Sequence, residues 1–192
     1  MTRVGVLALQ GSVIEHMRML RAIDSVEPVE VKSSIDLTGI HGIILPGGES
    51  TVMGKLMKDF GMFDTLKSRI EDGMPVWGTC AGMILMAKDI GNEAPHLSVM
   101  DIKVRRNAFG RQIDSFRRNA VIPAISLEPI ALVFIRAPWI EAMGDHVDKL
   151  LSLDGHIVAA RQRNLLATSF HPELTKNLCV HKYFIDMISK RA

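Results

Sequence analysis

A chain of 192 residues, 47% apolar and 23% charged, is long enough for one domain with a substantial core, and its make-up excludes a disordered or collagen-like polymer. A formal net charge of +2 argues against a dedicated nucleic-acid binder, and two cysteines, Cys80 and Cys179, in unrelated contexts exclude a disulfide framework or a thiolate zinc cluster. No apolar run is long enough to span a bilayer and no leader precedes the first strand-like segment, so the cytoplasm is the expected compartment.

Residues 4–9 are β-branched and apolar and end at Gln10-Gly11, the pattern of a buried parallel strand and its turn. Residues 13–23 carry apolar positions at helical spacing, with Ser12 as the expected N-cap and Glu15 completing a capping box. Residues 29–32 and 42–45 are two more strands, the second stopped by Pro46-Gly47-Gly48. Residues 51–58 and 62–70 are helices parted near Gly61, residues 75–77 a strand, and 83–88 a further helical run. This alternation predicts an α/β fold: an open, mostly parallel sheet flanked by helices on both faces.

The second half changes character. Residues 99–104, 115–122, 130–136, 147–153, 157–162 and 165–170 have strand patterns with no long helices between them, and Asp154-Gly155 is a hairpin signal. Antiparallel strands appended to the parallel sheet are expected. Residues 175–189 close the chain as an amphipathic helix, on which Cys179 is a packing residue. With no repeat or linker, one domain over 1–192 is expected. Arg105, Arg106, Arg111, Arg117 and Arg118 form a local basic cluster. Only Phe109 and Phe116 are interleaved with it, which suits a solvated, partner-facing or substrate-facing surface better than a nucleic-acid groove.

Three segments can carry chemistry. Gly78-Thr79-Cys80-Ala81-Gly82 sits where a strand becomes a helix. Flanking glycines suit a crowded elbow, and a sulfur there projects from the carboxyl edge of the sheet at a helix N-terminus, which favours thiolate. The bland alternative is a small buried cysteine. Ser169-Phe170-His171-Pro172-Glu173 follows another strand. In an extended segment residues two apart point the same way, so Glu173 can accept from one imidazole nitrogen of His171 while the other faces Cys80. The alternative is a surface His-Pro turn. Pro46-Gly47-Gly48-Glu49-Ser50-Thr51 can expose backbone N–H groups for an oxyanion, with the Ala81 N–H as second donor. Its alternative is a turn in which Ser50 or Thr51 caps the next helix.

Taken in order, these three segments resemble the triad-type (class I) glutamine amidotransferases. Val6-Leu7-Ala8-Leu9-Gln10-Gly11, Glu15-His16, Arg106-Asn107-Ala108-Phe109-Gly110-Arg111-Gln112 and Phe134-Ile135-Arg136-Ala137-Pro138 are similar, more narrowly, to the glutaminase subunits of pyridoxal 5′-phosphate synthases. The resemblance covers residues 4–175. It implies Cys80 as nucleophile, His171 as general base and acid, and Glu173 as its orienter. It implies glutamine held by Gly47, Gly48, Glu49, Ser50, Ala81, Arg106, Ile135 and Arg136, with no cofactor and no metal. It also implies a separate (β/α)-barrel synthase partner, which makes pyridoxal phosphate from ribose 5-phosphate and glyceraldehyde 3-phosphate, and weak glutaminase activity without that partner. Neither nucleic acid nor membrane is an expected partner. The departures are Trp77, where a smaller aromatic is usual, and a shortened loop at residues 92–95. The triad serves every branch of the superfamily, so a glutaminase of another pathway, such as imidazole glycerol phosphate synthesis, stays open. So does a non-catalytic cysteine-containing scaffold subunit. Gln10, Glu15 and His16 are candidate partner contacts, or else capping and solvent-exposed residues.

Overall fold

The computed structural model of the chain describes residues 1–106 and 115–190. The motif residues 107–112, and with them Phe109 and Arg111, lie outside the described residues. The elements are β1 (Thr2–Leu7), α1 (Val13–Arg21), β2 (Val26–Val31), β3 (Gly42–Leu45), α2 (Ser50–Asp59), α3 (Phe63–Glu71), β4 (Val76–Thr79), α4 (Ala81–Met86), β5 (Ala87–Asp89), β6 (Met100–Arg105), β7 (Ser115–Ile122), β8 (Ser126–Ile135), β9 (Trp139–Met143), β10 (Asp148–Leu153), β11 (His156–Gln162), β12 (Leu165–Thr168) and α5 (Cys179–Ser189). Short 3-10 turns lie at Ser34–Leu37 and Pro172–Leu174.

Ten strands share one sheet in the order β2-β1-β3-β4-β12-β11-β9-β6-β5, with β10 paired to β11. The first five run parallel. Beyond β12 the pairs β12–β11, β11–β9 and β9–β6 are antiparallel, as is β10–β11. The expected parallel sheet with appended antiparallel strands is therefore present.

Period-two alternation in the parallel strands feeds two cores. Ile43, Leu45, Val76, Leu165 and Ala167 face a methionine-rich core under α2, α3 and α4, which includes Met53, Met57, Met62 and Met83. Val4, Val6, Ile44, Trp77 and Leu166 face the opposite side, against Met17 and Leu20 of α1 and Val180, Phe184 and Met187 of α5. Strands buried on both faces are what crossover helices require.

Several sequence expectations are corrected. Among the described residues β7 and β8 pair only with each other, as a ribbon outside the main sheet. The ribbon is anchored by Phe134, which stacks on Phe116 at 4.6 Å and meets Phe170 edge-on at 5.9 Å. The helix expected over 83–88 stops at Met86, because Ala87–Asp89 turns extended to pair with β6. β9 was not foreseen. The last helix begins at Cys179 rather than 175: Thr175 Oγ1 accepts from Asn177 N–H at 3.1 Å, and Asn177 Oδ1 accepts from Cys179 N–H at 2.8 Å. Such side-chain turns compete with helix. The Ser12–Glu15 capping box does not form, since Ser12 makes no side-chain cap bond.

Candidate active site

The carboxyl ends of β1, β3, β4 and β12 meet on one rim, and the segments leaving them supply the candidate residues. Cys80 follows β4 as the N-cap of α4, with φ +48 and ψ −103, backbone that costs roughly 1–3 kcal/mol and persists only where the surroundings impose it. Two features impose it here. Cys80 N–H donates to the Thr168 carbonyl at 2.8 Å. A Cβ on Gly82 would press into the Leu45 carbonyl, so only glycine lets α4 start this close to β3. The crowded elbow read from the sequence is thus present. Cys80 is 8% exposed, and its Sγ lies 3.9 Å from the Ile135 carbonyl oxygen.

His171 arrives by a different route from the one expected. After β12 the chain changes partners: Ser169 N–H donates to the Val158 carbonyl, but His171 N–H donates to the Val133 carbonyl of β8, both at 2.8 Å. Pro172 then opens the 3-10 turn that carries Glu173. The expected His171–Glu173 bond exists, with Nδ1–H donating to Oε1 at 2.7 Å, but a tight turn makes it rather than an extended segment. Gly47 fits against the Cε1 edge of the imidazole, where a Cβ would collide with the ring.

Electrostatics organise this group. Burial alone would lower the His171 pKa; hydrogen bonding to Cys80 and Glu173, and the attraction of both, reverse this and raise it to about 10. Burial alone would raise Glu173, but the nearby His16, the bond and charge of His171 and the hydroxyl of Ser12 bring it down to about 2. The pair therefore holds as imidazolium and carboxylate at neutral pH. Ser12 Oγ–H donates to Glu173 Oε1 at 2.7 Å. Behind Glu173, His16 is fully buried, which corrects both expectations for it, a partner contact or a solvent-exposed residue.

The glycine loop is tied down from the first strand's turn. The Gly47 carbonyl accepts from Ser12 N–H at 3.0 Å, and Glu49 N–H donates to Gln10 Oε1 at 2.8 Å. Glu49, rather than Ser50 or Thr51, is the N-cap of α2. Ser50 Oγ is buried and makes no hydrogen bond among the described residues.

A cavity of about 340 Å³ opens on this rim, lined by Gly47, Gly48, Glu49, Ser50, Cys80, Ala81, Arg106, Ile135, Arg136 and His171. All eight residues named for glutamine border it, together with two of the three triad candidates; Glu173 sits behind His171. The two arginines differ. Arg106 donates to Glu93 at 2.7 and 2.8 Å and to Glu49 at 2.9 Å. Arg136 is exposed, with φ +42, and forms no hydrogen bond or ion pair among the described residues. Sequence reasoning missed Glu93, which sits in the loop read only as shortened, and the use of Ser12. It also left Pro138 and Leu174, which line the same cavity, without a role. Trp77 is fully buried and donates its indole N–H to Thr168 Oγ1 at 3.1 Å.

Over residues 6–190 the chain matches the SNO glutamine amidotransferase family. It is 59% identical over 191 residues, 99% of both chains, to a pyridoxal 5′-phosphate synthase subunit PdxT of Clostridium botulinum. It is 55% identical to the PdxT of Clostridium kluyveri, over 96% of this chain and 98% of that one. Among solved structures, one described as a glutamine amidotransferase superposes with a TM-score of 0.91 at 42% identity, covering 97% of this chain and 98% of its own.

Proposed function

This chain belongs to the SNO glutamine amidotransferase family, and from that premise we propose that it is the glutaminase subunit of a pyridoxal 5′-phosphate synthase, with Cys80, His171 and Glu173 as its catalytic triad. It hydrolyses L-glutamine to L-glutamate and ammonia, and a synthase subunit consumes the ammonia. The observation that carries the triad is the pairing of His171. Its Nδ1 is committed to Glu173 at 2.7 Å, which leaves Nε2 for the sulfur at the cavity wall.

In this reading the Cys80 sulfur attacks the carboxamide carbon of glutamine, and negative charge moves to the carbonyl oxygen. The Ala81 N–H, in the first turn of α4 where helix donors lack internal partners, and an N–H of the Gly47-Gly48 loop stabilise it. Losing one such donor typically costs roughly 3–4 kcal/mol of barrier. His171 passes its proton to the departing nitrogen, the C–N bond breaks, and ammonia leaves a thioester on Cys80. Water then attacks while His171 takes its proton; the C–S bond breaks, and glutamate and the starting pair return. Glu49, Ser50, Arg106, Ile135 and Arg136 hold the substrate, and a guanidinium is suited to the α-carboxylate.

The same proposal treats residues 1–192 as one amidotransferase domain, in keeping with a family match over 6–190. Free ammonia in neutral water becomes ammonium, which is no nucleophile. A (β/α)-barrel synthase is therefore proposed to dock over the sheet's carboxyl edge and take ammonia along a sheltered path. Docking activates hydrolysis by rearranging the Gly47-Gly48 peptide, whose carbonyl Ser12 N–H now holds. A cytoplasmic setting, with no nucleic acid or membrane as partner, belongs to the proposal too. Among the described residues no helix is long and apolar enough to cross a membrane.

The test is ammonia release by wild type and Cys80→Ala, each with and without the barrel synthase. Wild type should release ammonia and the variant none; equal rates for wild type alone and in complex would refute activation by the partner. A glutamine-analogue electrophile should label Cys80 and be blocked by glutamine. Equal, unprotected labelling of Cys80 and Cys179 would favour the scaffold reading. Activation by a synthase of another pathway would reassign the branch.

A further inference from the structure

We propose that His16 is a positioning residue for Glu173: a buried neutral imidazole that points its Nε2–H at carboxylate oxygen Oε2 and is locked in that tautomer by His181. Its link to catalysis rests on the reading above; its geometry does not.

Glu173 spends Oε1 on two donors, His171 Nδ1–H and Ser12 Oγ–H, each at 2.7 Å. Oε2 is buried and receives no full hydrogen bond among the described residues. His16 Nε2 lies 3.5 Å from it, within reach of that oxygen's charge, and is hydrogen-bonded to Thr79 Oγ1 at 3.3 Å. On its other side His16 Nδ1 is 3.0 Å from His181 Nε2. Trp77 meets both imidazoles edge-on, with centroids at 5.4 and 4.8 Å. Both histidines are fully buried.

Two neutral arrangements satisfy the His16–His181 bond. In one, His181 Nε2–H donates to His16 Nδ1, and His16 Nε2–H faces the Glu173 carboxylate. His181 Nδ1, which has no hydrogen-bond partner among the described residues, is then a bare lone pair. In the other, His16 Nδ1–H donates to His181. The Thr79 hydroxyl can then donate to His16 Nε2 at 3.3 Å, but that lone pair still sits 3.5 Å from the Glu173 carboxylate, and His181 buries an N–H with no acceptor among the described residues. A buried donor without a partner and a lone pair facing a carboxylate are both costly, so the first arrangement holds.

The groups facing His16 are Glu173 and His171 from the triad segment, Glu15 on its own helix, His181 from α5 and Thr79 from β4. His181 faces His16 and Glu173. Burial and, for His16, the neighbouring His171 keep the two neutral against the pull of the carboxylates. Glu173 is thereby restrained at both oxygens, and the imidazole of His171 is held toward Cys80.

Long-range proton–nitrogen NMR on the wild-type chain labelled at histidine nitrogen should find His16 and His181 neutral at pH 7, both as Nε2–H tautomers. A His16 Nδ1–H tautomer would overturn the proposal without any mutant having to fold. The second measurement is the pH profile of Cys80 alkylation by iodoacetamide, followed on the Cys80 peptide, beside glutamine hydrolysis with the synthase present. His16→Leu should move the acid limb of both profiles up by about one pH unit and lower kcat about tenfold at a similar KM, since Glu173 loses a facing donor. His16→Gln, whose amide N–H reaches the same place, should restore the limb. Equal damage by Leu and Gln, or an unmoved limb in a folded His16→Leu protein, would reduce His16 to packing. If wild type releases no ammonia yet shows these tautomers and this limb shift, the functional reading falls and the His16 contact stands.

Discussion

Ser12 and Glu173 are 161 residues apart in the chain, yet the Ser12 hydroxyl donates to Glu173 Oε1 at 2.7 Å. The backbone N–H of the same serine holds the Gly47 carbonyl at 3.0 Å. One residue thus clamps two of the three site segments, and Ser12→Ala separates its roles by removing only the hydroxyl. The low Glu173 pKa contributes stability that is present above the ordinary carboxylate value and lost as pH falls through about 2. Ser12→Ala should therefore cost about 1.5–3 kcal/mol at pH 7, the usual worth of a hydrogen bond to a charged group. The difference from wild type should shrink as pH falls toward 2. Chemical denaturation at pH 7 and pH 3 checks this; an equal loss at both would place the effect outside Glu173.

Cys80 and His171 are coupled in the opposite sense. After burial, which lowers it, the bond to Cys80 is the first influence that raises the His171 pKa to about 10. Cys80→Ala should bring that pKa down, as read by NMR titration of His171. The raised pKa contributes stability that is fully present below the unfolded value of about 6.5 and lost as pH rises through about 10. The upper edge of that window should move down in the variant, so the two unfolding curves should diverge between pH 7 and 10. An unchanged His171 titration would show that Glu173 alone holds the proton.

What could be read from the sequence, and what could not, divides along physical lines. The Cys80 elbow was legible because its glycines answer a local steric demand. The parallel strands were legible because burial on both faces leaves an uninterrupted apolar run. Ser12 was misread because a serine before a helix has a local use, and nothing nearby reveals that Glu173 outbids it. His16 was misread for a related reason: a histidine on a short helix looks exposed until α5, from the far end of the chain, covers it. The β7–β8 ribbon has the same alternation as a strand added to the sheet, and only the three-dimensional partners distinguish the two.

Gly47 tests the glycine loop. The clash a Cβ would make is with Cε1 of the His171 ring, the side chain proposed as general base and acid, rather than with backbone. Gly47→Ala should therefore turn or push the imidazole and leave the sheet unchanged. The expected result is a loss of kcat of about 10²-fold or more, the scale on which misplacement by an ångström acts. Thermal unfolding should shift little by comparison. Gly82→Ala is the contrast, because its Cβ meets the Leu45 carbonyl at the base of the elbow and should damage folding itself. If the two variants lose stability equally, Gly47 serves the fold and not the imidazole.

The two arginines at the cavity make different demands of a bound carboxylate. Arg106 is already engaged by Glu49 and Glu93, so a substrate carboxylate has to compete with two protein carboxylates. Arg136 has no such competitor among the described residues and is available without exchange. A charge-assisted contact made equally in the bound and transition states changes KM and leaves kcat alone. Arg136→Ala should therefore raise the KM for glutamine about 10- to 100-fold with kcat within about threefold, while Arg106→Ala should raise it less. Glu93→Gln removes one competitor and should lower KM by freeing Arg106. Steady-state kinetics of the three variants with the synthase present decides. A larger KM effect at Arg106 than at Arg136 would mean that substrate displaces Glu93, and that the ion pair is a rest position for the residue reading the carboxylate.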